Sequence, residues 1–311
     1  MTLTHFDEAR TREYEIGHIR GRWTGLGEAA GCAGIGVRRI ELPAGGWSTP
    51  VHEHGREEEI FYVLAGRGLS WQAGRTAEIG AGDCIVYLPN RGAHSIHAIE
   101  RLDLLAFGPR EYDEAVGFPR LGMSLVGRRA VVSEPGAINR QPFQFVRESE
   151  LGPPELPDEP GERPGTIVNV DDVEGFMWGH GSCESFRRNL GDAIGSRATG
   201  IKHIFASPSK LAAPLHCHSL EEELFVVLDG EGVLMLGDEE HPVRAGHVIA
   251  RPPGTGVAHT FRAGSKGLEF LAYGTRHPAD MCYYPRSNKI SFRGLGVIGR
   301  LERLNYWDGE G

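Results

Sequence analysis

One unusual phrase occurs twice in the chain, and this duplication limits the folds that are open to it. Residues 51–64 read VHEHGREEEIFYVL, and residues 215–228 read LHCHSLEEELFVVL. The pairs His52/His216 and Glu59/Glu223 each lie 164 residues apart, and similar stretches flank both phrases. Solenoid repeats are much shorter than this spacing. The 311-residue chain is therefore interpreted as two copies of one domain.

A proline-rich and acidic stretch separates the two copies. Residues 152–165, GPPELPDEPGERPG, contain five prolines and four acidic residues. Proline removes a backbone donor and disfavours both helices and central strands, so this stretch is predicted to be an exposed linker. We predict an N-terminal domain over residues 1–150, a linker over 151–166, and a C-terminal domain with a C-terminal extension over 167–311.

Short strands that end at glycine or proline dominate both copies. The segments EIFYVLAGRG and ELFVVLDGEG each end at glycine, and AGDCIVYLPN and AGHVIARPPG each end near proline. The chain contains 44 glycines and 19 prolines, so turn-forming residues are frequent. Short strands at these intervals are typical of sandwiches and barrels. The sequence therefore predicts an all-β protein made of two barrels.

Composition and charge exclude several classes of protein. The net charge is −9 and no run of Lys and Arg is dense, which argues against a nucleic-acid or membrane surface. No apolar stretch approaches the length of a membrane span, and the N-terminus lacks the apolar region of a signal peptide. The five scattered cysteines fit a reducing cytoplasm. We expect a cytoplasmic protein with a small-molecule partner; the sequence leaves open whether it forms a homo-oligomer.

Each copy also carries the side chains of a metal site. Residues i and i+2 share one face of a strand, so the two histidines of each HxH pair point in the same direction. A run of glutamates follows, and a third histidine comes about forty residues later, after a proline–glycine turn. A lone HxH pair is more often two ordinary histidines, and a glutamate run is usually a solvated edge. Recurrence of the whole set at nearly the same spacing favours metal binding.

Three imidazoles and one carboxylate suit a divalent transition metal, namely Fe, Mn, Zn, Ni or Co, with up to two ions per chain. Four protein ligands leave two positions of an octahedral ion for water or substrate. No cysteine is expected to be a fifth ligand. Cys217 lies between two histidines on a strand, so its side chain points to the opposite face. The alternation of side chains between the two faces of a strand does not by itself decide which glutamate of each run faces the histidines.

These residues resemble the two motifs of the cupin superfamily. The first motif, G(x)5HxH(x)3–4E(x)6G, is met in its core by His52, His54, Glu59 and Gly66, and again by His216, His218, Glu223 and Gly230. The second motif, G(x)5PxG(x)2H(x)3N, is matched more loosely by Gly82, Pro89, Gly92 and His94, and by Gly246, Pro252, Gly254 and His259, without the final asparagine. The resemblance implies two tandem antiparallel jelly-roll β-barrels.

The resemblance also implies which side chains bind metal. The implied ligands are His52, His54, Glu59 and His94 in the first barrel, and His216, His218, Glu223 and His259 in the second. The family spacing from the carboxylate to glycine selects Glu59 and Glu223. Their neighbours Glu58 and Glu222 are then expected to point away and to be hydrated. The residues expected to line the same pockets are Phe61, Val63, Phe225 and Val227.

The family contains dioxygenases, decarboxylases, isomerases, hydrolases and sensory proteins, so the fold does not determine the reaction. The second half looks most like bacterial cupins without an assigned reaction. We expect a metal-dependent enzyme that acts on a small polar or anionic molecule by direct chelation. It would be a dioxygenase, or a Lewis-acid isomerase, hydrolase or decarboxylase. The alternative is a non-catalytic, metal-containing protein that binds or senses a small molecule.

No separate catalytic side chain is assigned, because no nucleophile is visible. Basic residues are the candidates for substrate contact, since they could hold a carboxylate or phosphate beside the metal. These candidates are Arg38, Arg39, Lys202, His203 and Arg251. One member of each adjacent pair must face inward. The competing interpretation is that the inward residue only pairs with a glutamate.

Overall fold

The computed structural model describes residues 3–127, 129–132 and 143–311. The strands of the first half are β1 (Leu3–His5), β2 (Thr11–Ile16), β3 (Ile19–Thr24), β4 (Ile35–Leu42), β5 (Glu53–His54), β6 (Glu59–Ala65), β7 (Arg67–Gln72), β8 (Arg75–Gly80), β9 (Asp83–Tyr87), β10 (His94–Ala98), β11 (Leu102–Pro109), β12 (Ala115–Phe118), β13 (Met123–Val126) and β14 (Arg129–Val132). The strands of the second half are β15 (Ile167–Asn169), β16 (Gly175–His180), β17 (Cys183–Arg188), β18 (Thr199–Ala206), β19 (Cys217–His218), β20 (Glu223–Leu236), β21 (Glu239–Arg244), β22 (His247–Arg251), β23 (His259–Thr275), β24 (Met281–Tyr284), β25 (Lys289–Phe292) and β26 (Val297–Arg300). The helices are α1 (Leu26–Ala30), α2 (Phe143–Glu150) and α3 (Leu190–Ala193), with 3-10 turns at Pro119–Leu121, Val170–Asp172 and Arg293–Leu295.

The strands form two barrels with the same strand order. The main sheet of barrel 1 runs β15-β9-β6-β11-β4-β3-β2, and that of barrel 2 runs β1-β22-β20-β23-β18-β17-β16. Smaller sheets, β10-β7-β8 and β14-β13-β12-β5, complete barrel 1. In barrel 2 the long strand β20 also pairs with β21, and β19-β24-β25-β26 forms the smaller sheet. The predicted all-β fold with two antiparallel barrels is confirmed.

Each barrel takes one edge strand from the other half of the sequence. Strand β1 pairs with β22 of barrel 2, and β15 pairs with β9 of barrel 1. The two exchanged strands occupy equivalent places in the repeat, 164 residues apart. Residues 152–165 contain neither helix nor strand and are mostly exposed. The division into residues 1–150, 151–166 and 167–311 stays a prediction, and the exchanged strands link the two halves by backbone hydrogen bonds.

Apolar residues form a core within each barrel and a third core between the barrels. Phe61 and Val63 point into barrel 1, while Tyr62 from the same strand joins the core between the barrels. In barrel 2, Phe225 and Val227 point inward. Successive side chains of a strand point to opposite faces. The central strands β6 and β20 are thus buried on both faces, which explains their continuous apolar sequence.

Glu58 connects barrel 1 to barrel 2. This side chain is only 3% exposed. Its carboxylate accepts hydrogen bonds from the backbone N–H of Arg197 (2.7 Å) and Ala198 (3.1 Å) and from the hydroxyl of Ser196 (2.7 Å). All three donors lie in the loop between α3 and β18. A buried carboxylate is tolerated where such donors replace its lost water.

Glu222 makes the reciprocal connection from barrel 2. It is 3% exposed and accepts hydrogen bonds from the backbone N–H of Ala33 (2.7 Å) and Gly34 (2.6 Å), in the loop between α1 and β4. The expectation that Glu58 and Glu222 are hydrated is therefore wrong. Strand alternation does turn both away from the histidines, but the face to which they turn is covered by the other barrel.

In the part of the chain that the structure describes, no helix is both long and apolar enough to cross a membrane. All five cysteines are unpaired, as their irregular spacing indicates.

Candidate metal centres

Four side chains of barrel 1 converge on one point. The Nε2 atom of His94 lies 2.9 Å from Oε2 of Glu59. The same oxygen lies 3.6 Å from Nε2 of His52 and 4.0 Å from Nε2 of His54. One ligand atom from each of the four residues lies within 4.8 Å of all the others. This spacing suits a single ion that binds its ligands at about 2.0–2.2 Å.

Pairing of distant segments brings the first and third histidines together. The N–H of His52 donates to the carbonyl of His94 (3.2 Å), and the N–H of His94 donates back to the carbonyl of His52 (2.8 Å). His216 and His259 exchange the same two bonds in barrel 2, at 3.2 and 2.7 Å. In the structure, as the family spacing implies, Glu59 and Glu223 lie beside the histidines. Their neighbours Glu58 and Glu222 point to the other face of the strand. That these residues bind metal stays a prediction.

Hydrogen bonds behind the histidines orient their rings. In barrel 1, Nδ1 of His52 donates to the carbonyl of Pro50 (2.9 Å), and Nδ1 of His54 lies 3.3 Å from Oε1 of Glu114. The equivalent contacts in barrel 2 are His216 to Pro214 (2.7 Å) and His218 to Asp280 (2.6 Å). These partners leave Nε2 of each of these four rings as the atom available to a metal.

Sequence reasoning missed Glu114 and Asp280. The available signal was that both are acidic and occupy equivalent places in the repeat, 166 residues apart. They stand in turns whose other residues differ, so only a comparison of the two copies would have selected them.

Barrel 2 holds the same set of side chains with a thiol added. Oε2 of Glu223 lies 3.2 Å from Nε2 of His259, 3.6 Å from that of His218 and 3.9 Å from that of His216. The donor atoms of His216, His218 and Cys282 also lie within 4.8 Å of one another.

The expectation that no cysteine approaches the metal ligands is therefore wrong. Cys217 lies between the two histidines in sequence, but it is Cys282 that comes close, because β24 pairs with β19 and places it opposite His218. A pairing between segments so far apart leaves no local sequence pattern.

Among the described residues, three buried atoms that face these centres have no hydrogen-bond partner: Nε2 of His54, Nε2 of His259 and Oε2 of Glu223. Unpaired buried polar atoms are unfavourable, and native proteins rarely contain them without a reason. Each of these atoms belongs to the proposed ligand set and points to its centre. A bound metal ion would satisfy all three, so the residues present fit such an ion.

The protonation states of three of the proposed ligands also suit metal binding. Burial alone would raise the pKa of Glu59, but hydrogen bonds from His52 and His94 hold it well below its usual value. Burial, reinforced by the charge of the neighbouring histidines, lowers the pKa of His94 and of His216 to about 4. Metal ligands must be ionised carboxylates and neutral imidazoles. These three side chains therefore have the required forms at neutral pH. For His218, burial alone would lower the pKa, but the hydrogen bond with Cys282 and the charge of Glu223 raise it to about 10.

Two of the predicted substrate-contact residues face away from the metal centres. Arg39 forms a two-pronged ion pair with Asp103, at 2.9 and 2.6 Å. His203 occupies the equivalent place in barrel 2 and lies 2.7 Å from Glu269. Arg39 and His203 each pair with an acid, but on the outward face of the strand. The competing interpretation had expected such a pair for the inward residue.

The other three basic candidates differ in their surroundings. Lys202 is exposed and lines the cavity of barrel 2 described below. Arg38, its equivalent in barrel 1, is exposed and shares a strand face with the inward-pointing Ile40. Arg251 is buried behind the centre, where it donates to the carbonyl of Val257 (2.6 Å), and it is not among the residues that line the cavity.

Barrel 2 contains a cavity of about 650 Å³ over its candidate metal centre. Trp178, Arg187, Lys202 and Phe225 line it together with the predicted metal ligands. The Arg187 guanidinium lies 3.7 Å from the ring centre of Trp178 and donates to the carbonyl of Ala212 (2.8 Å). Burial lowers the pKa of Arg187 to about 10 and, with the nearby charge of Arg187, lowers that of Lys202.

Among the described residues, the Lys202 ammonium has no hydrogen-bond or ion-pair partner. Sequence reasoning missed Arg187. The only available signal was that the equivalent residue of barrel 1 is tryptophan, Trp23.

In barrel 1 the positions equivalent to Trp178 and Arg187 are covered. They are Tyr14 and Trp23, which meet edge to face with ring centres 4.8 Å apart. Phe145 of α2 stacks on Tyr14 at 5.2 Å. Glu148 of the same helix is fully buried, and Arg120 forms an ion pair with it. Helix α2 therefore lies across the face that is open in barrel 2.

Comparisons with known proteins agree with this arrangement. The cupin domain family matches residues 38–106 and 204–273. An uncharacterized protein of Methanocaldococcus jannaschii is 39% identical over 59 residues, which is 19% of this chain and 46% of that protein. The alignment thus spans less than half of that relative.

Among solved structures, Bacillus subtilis oxalate decarboxylase, studied for its Mn(II) centres, aligns with a TM-score of 0.59 at 16% identity, covering 90% of this chain and 78% of that one. A mutant of the same enzyme aligns with a TM-score of 0.60 at 17% identity over the same shares of the two chains. At this identity the likeness shows the fold, a pair of jelly-roll barrels. With two family matches, a doubled strand order and a candidate His/Glu metal site in each barrel, the chain belongs to the cupin superfamily as a two-domain member.

Proposed function

We propose that this protein is a metal-dependent enzyme that binds a small anionic molecule in the cavity of barrel 2. One observation carries the proposal: the cavity joins three histidines and a carboxylate to Arg187 and Lys202, two cationic side chains that have no acidic partner among the described residues. A cation that lines a cavity and has no partner among the described residues can pair with an anion that enters the cavity. A carboxylate or phosphate that also reaches the metal would provide that partner.

The cavity walls assign a task to each side chain. Arg187 is held in one orientation by the carbonyl of Ala212 and by the Trp178 ring, so it can meet an anion without losing side-chain freedom on binding. Lys202 supplies a second, more mobile cation. Phe225 and Trp178 form apolar walls, which keep water from the reacting end of the ligand. A metal bound by His216, His218, Glu223 and His259 would supply Lewis acidity or, as iron, dioxygen chemistry.

We place the reaction in barrel 2, as a dioxygenase or as a Lewis-acid isomerase, hydrolase or decarboxylase. The Mn(II) centres named for the similar decarboxylase put Mn, beside Fe, first among the metals to test. For barrel 1 we propose the non-catalytic alternative, in which its metal stabilises the barrel or holds a ligand. The observation that favours this role is the cover that α2 forms over Tyr14 and Trp23.

The test begins with metal analysis of protein purified without a histidine tag. Small carboxylates and phosphates are then screened for binding and turnover, with and without O2. For any hit, Lys202→Met is compared with Arg38→Met, the matched change in barrel 1. Loss of a charge-assisted hydrogen bond of about 1.5–3 kcal/mol should weaken binding about 10- to 150-fold in Lys202→Met and leave Arg38→Met near the parent value. Equal affinities for the two variants would contradict the assignment to barrel 2.

A further inference from the structure

We infer that Cys282 is a thiolate ligand of the metal in barrel 2, so that the two barrels of one chain select different metals. This inference rests on the proposal that both barrels bind metal. It goes further in naming a fifth protein ligand, of a chemical type that barrel 1 lacks.

The position of Cys282 is set by strand pairing. Strand β24 runs antiparallel to β19, with Cys282 opposite His218. In barrel 1 the same pairing, between β12 and β5, places Val116 opposite His54. The repeat thus provides an internal comparison, with a thiol and a methyl-bearing side chain at the same place beside otherwise equivalent ligands.

Distances and burial support coordination. The donor atoms of Cys282, His216 and His218 lie within 4.8 Å of one another, and Cys282 is only 8% exposed. An ion about 2.3 Å from sulfur and about 2.0–2.1 Å from nitrogen spans up to about 4.4 Å between opposite ligands, so small movements suffice to bind all three.

A second observation points to a ligand at this centre. His259 is 2% exposed, and its Nε2 atom lies 3.2 Å from Oε2 of Glu223. Neither atom has a hydrogen-bond partner within the part of the chain that the structure describes. The thiol and these two atoms belong to two groups that share His216, and within each group the donor atoms lie within 4.8 Å of one another. An ion held by His216 between the two groups would bind the thiol and both unpaired atoms after small movements of their side chains.

Thiolate is a soft ligand, whereas imidazole and carboxylate are borderline or hard. Soft sulfur ligands favour Zn, Co and Fe over Mn, while the three-histidine and one-glutamate set of barrel 1 accepts Mn readily. When the metal binds, the S–H bond breaks, its proton passes to solvent and a sulfur–metal bond forms. No oxidation or reduction is involved.

Cobalt(II) reports this bond directly, because a thiolate ligand gives an intense near-ultraviolet charge-transfer band that nitrogen and oxygen ligands do not give. The metal-free protein is titrated with Co(II) in the His54→Ala background, which isolates barrel 2. We expect one Co(II) per chain with the band present. In Cys282→Val, which copies barrel 1, we expect complete loss of the band and at least about 10-fold weaker Co(II) binding.

Two variants serve as controls. Cys217→Ala removes the nearest thiol in sequence and should keep the band, while His218→Ala, which isolates barrel 1, should bind Co(II) without it. Co(II) bound by the His54→Ala protein without the band, or a band that survives Cys282→Val, would overturn this inference and leave the metal proposal standing. No Co(II) bound by either isolated barrel would overturn both.

Discussion

The two barrels share a backbone plan and a set of proposed metal ligands, yet they differ at several side chains beside those ligands. Barrel 1 places Val116 and Phe118 beside its histidines, where barrel 2 has Cys282 and Tyr284. At the open face, Trp23 under α2 corresponds to Arg187 in a cavity. The ligands therefore indicate what the two copies have in common, and the residues around them indicate how the copies have diverged.

The largest expected effect is the loss of one bound metal when a ligand of one barrel is removed. His54→Ala and His218→Ala each remove one ligand and should each reduce the metal content from about two ions per chain to about one. Elemental analysis of the two variants, after reconstitution with the same metal, measures this. Loss of both metals from either variant would show that the two centres depend on each other.

The next effect concerns the joint between the barrels. Glu58→Ala leaves three donors of the α3–β18 loop without their acceptor, whereas Glu222→Ala leaves two donors of the α1–β4 loop. Removing one side of a buried charged network typically costs about 3–5 kcal/mol. We expect Glu58→Ala to approach that value in urea unfolding and Glu222→Ala to cost less.

An exposed carboxylate is the control for the joint. Glu78 is about half exposed and lies 3.4 Å from Arg67. Its replacement by alanine should change the free energy of unfolding by about 0–1 kcal/mol. If Glu58→Ala costs no more than Glu78→Ala, the contacts of Glu58 add nothing to the stability of the joint.

The smallest effect is a difference in acid sensitivity. His18 packs edge to face on Trp47 in barrel 1, where barrel 2 has Ser182 and Leu211. Burial and the nearby charge of Arg120 lower the pKa of His18 to about 4. The unfolded chain therefore takes up a proton at a higher pH than the folded one, and stability falls as the pH drops from about 6.5 to about 4.

Allowing for solvent screening, we expect His18 to account for about 1–2 kcal/mol of this loss. Urea unfolding at pH 7.5 and pH 4.5 should show a smaller difference for His18→Gln than for the parent protein. The matched change in barrel 2, Ser182→Gln, should leave the difference unaltered. An equal pH effect in all three proteins would remove His18 as its cause.

The sequence predicted the parts of this structure that depend on short-range periodicity. The HxH pairs share a face and Glu59 follows in register because both patterns lie within one strand or two. The repeat extended the same reasoning to barrel 2. The HxH and glutamate pattern occurs in both copies, so a chance origin is less plausible than it would be for a single copy.

The features that the sequence did not predict are contacts between segments that are far apart in the chain. Cys282 approaches His218 only through the β19–β24 pairing, and Glu58 is buried only because the other barrel covers it. Arg187 lies on a strand whose inward face was not assigned. In each case the local pattern fixes the direction of a side chain but carries no information about what lies there.

The exchange of β1 and β15 also has a consequence for the order in which the molecule is made. The ribosome completes the last strand of the barrel 1 main sheet only at residue 169, well after the rest of that sheet. Residues 3–5, synthesised first, find their partners only when residues 247–249 emerge. The nascent chain therefore carries an incomplete sheet through much of translation, and its first strand is paired only after more than three quarters of the sequence has been made.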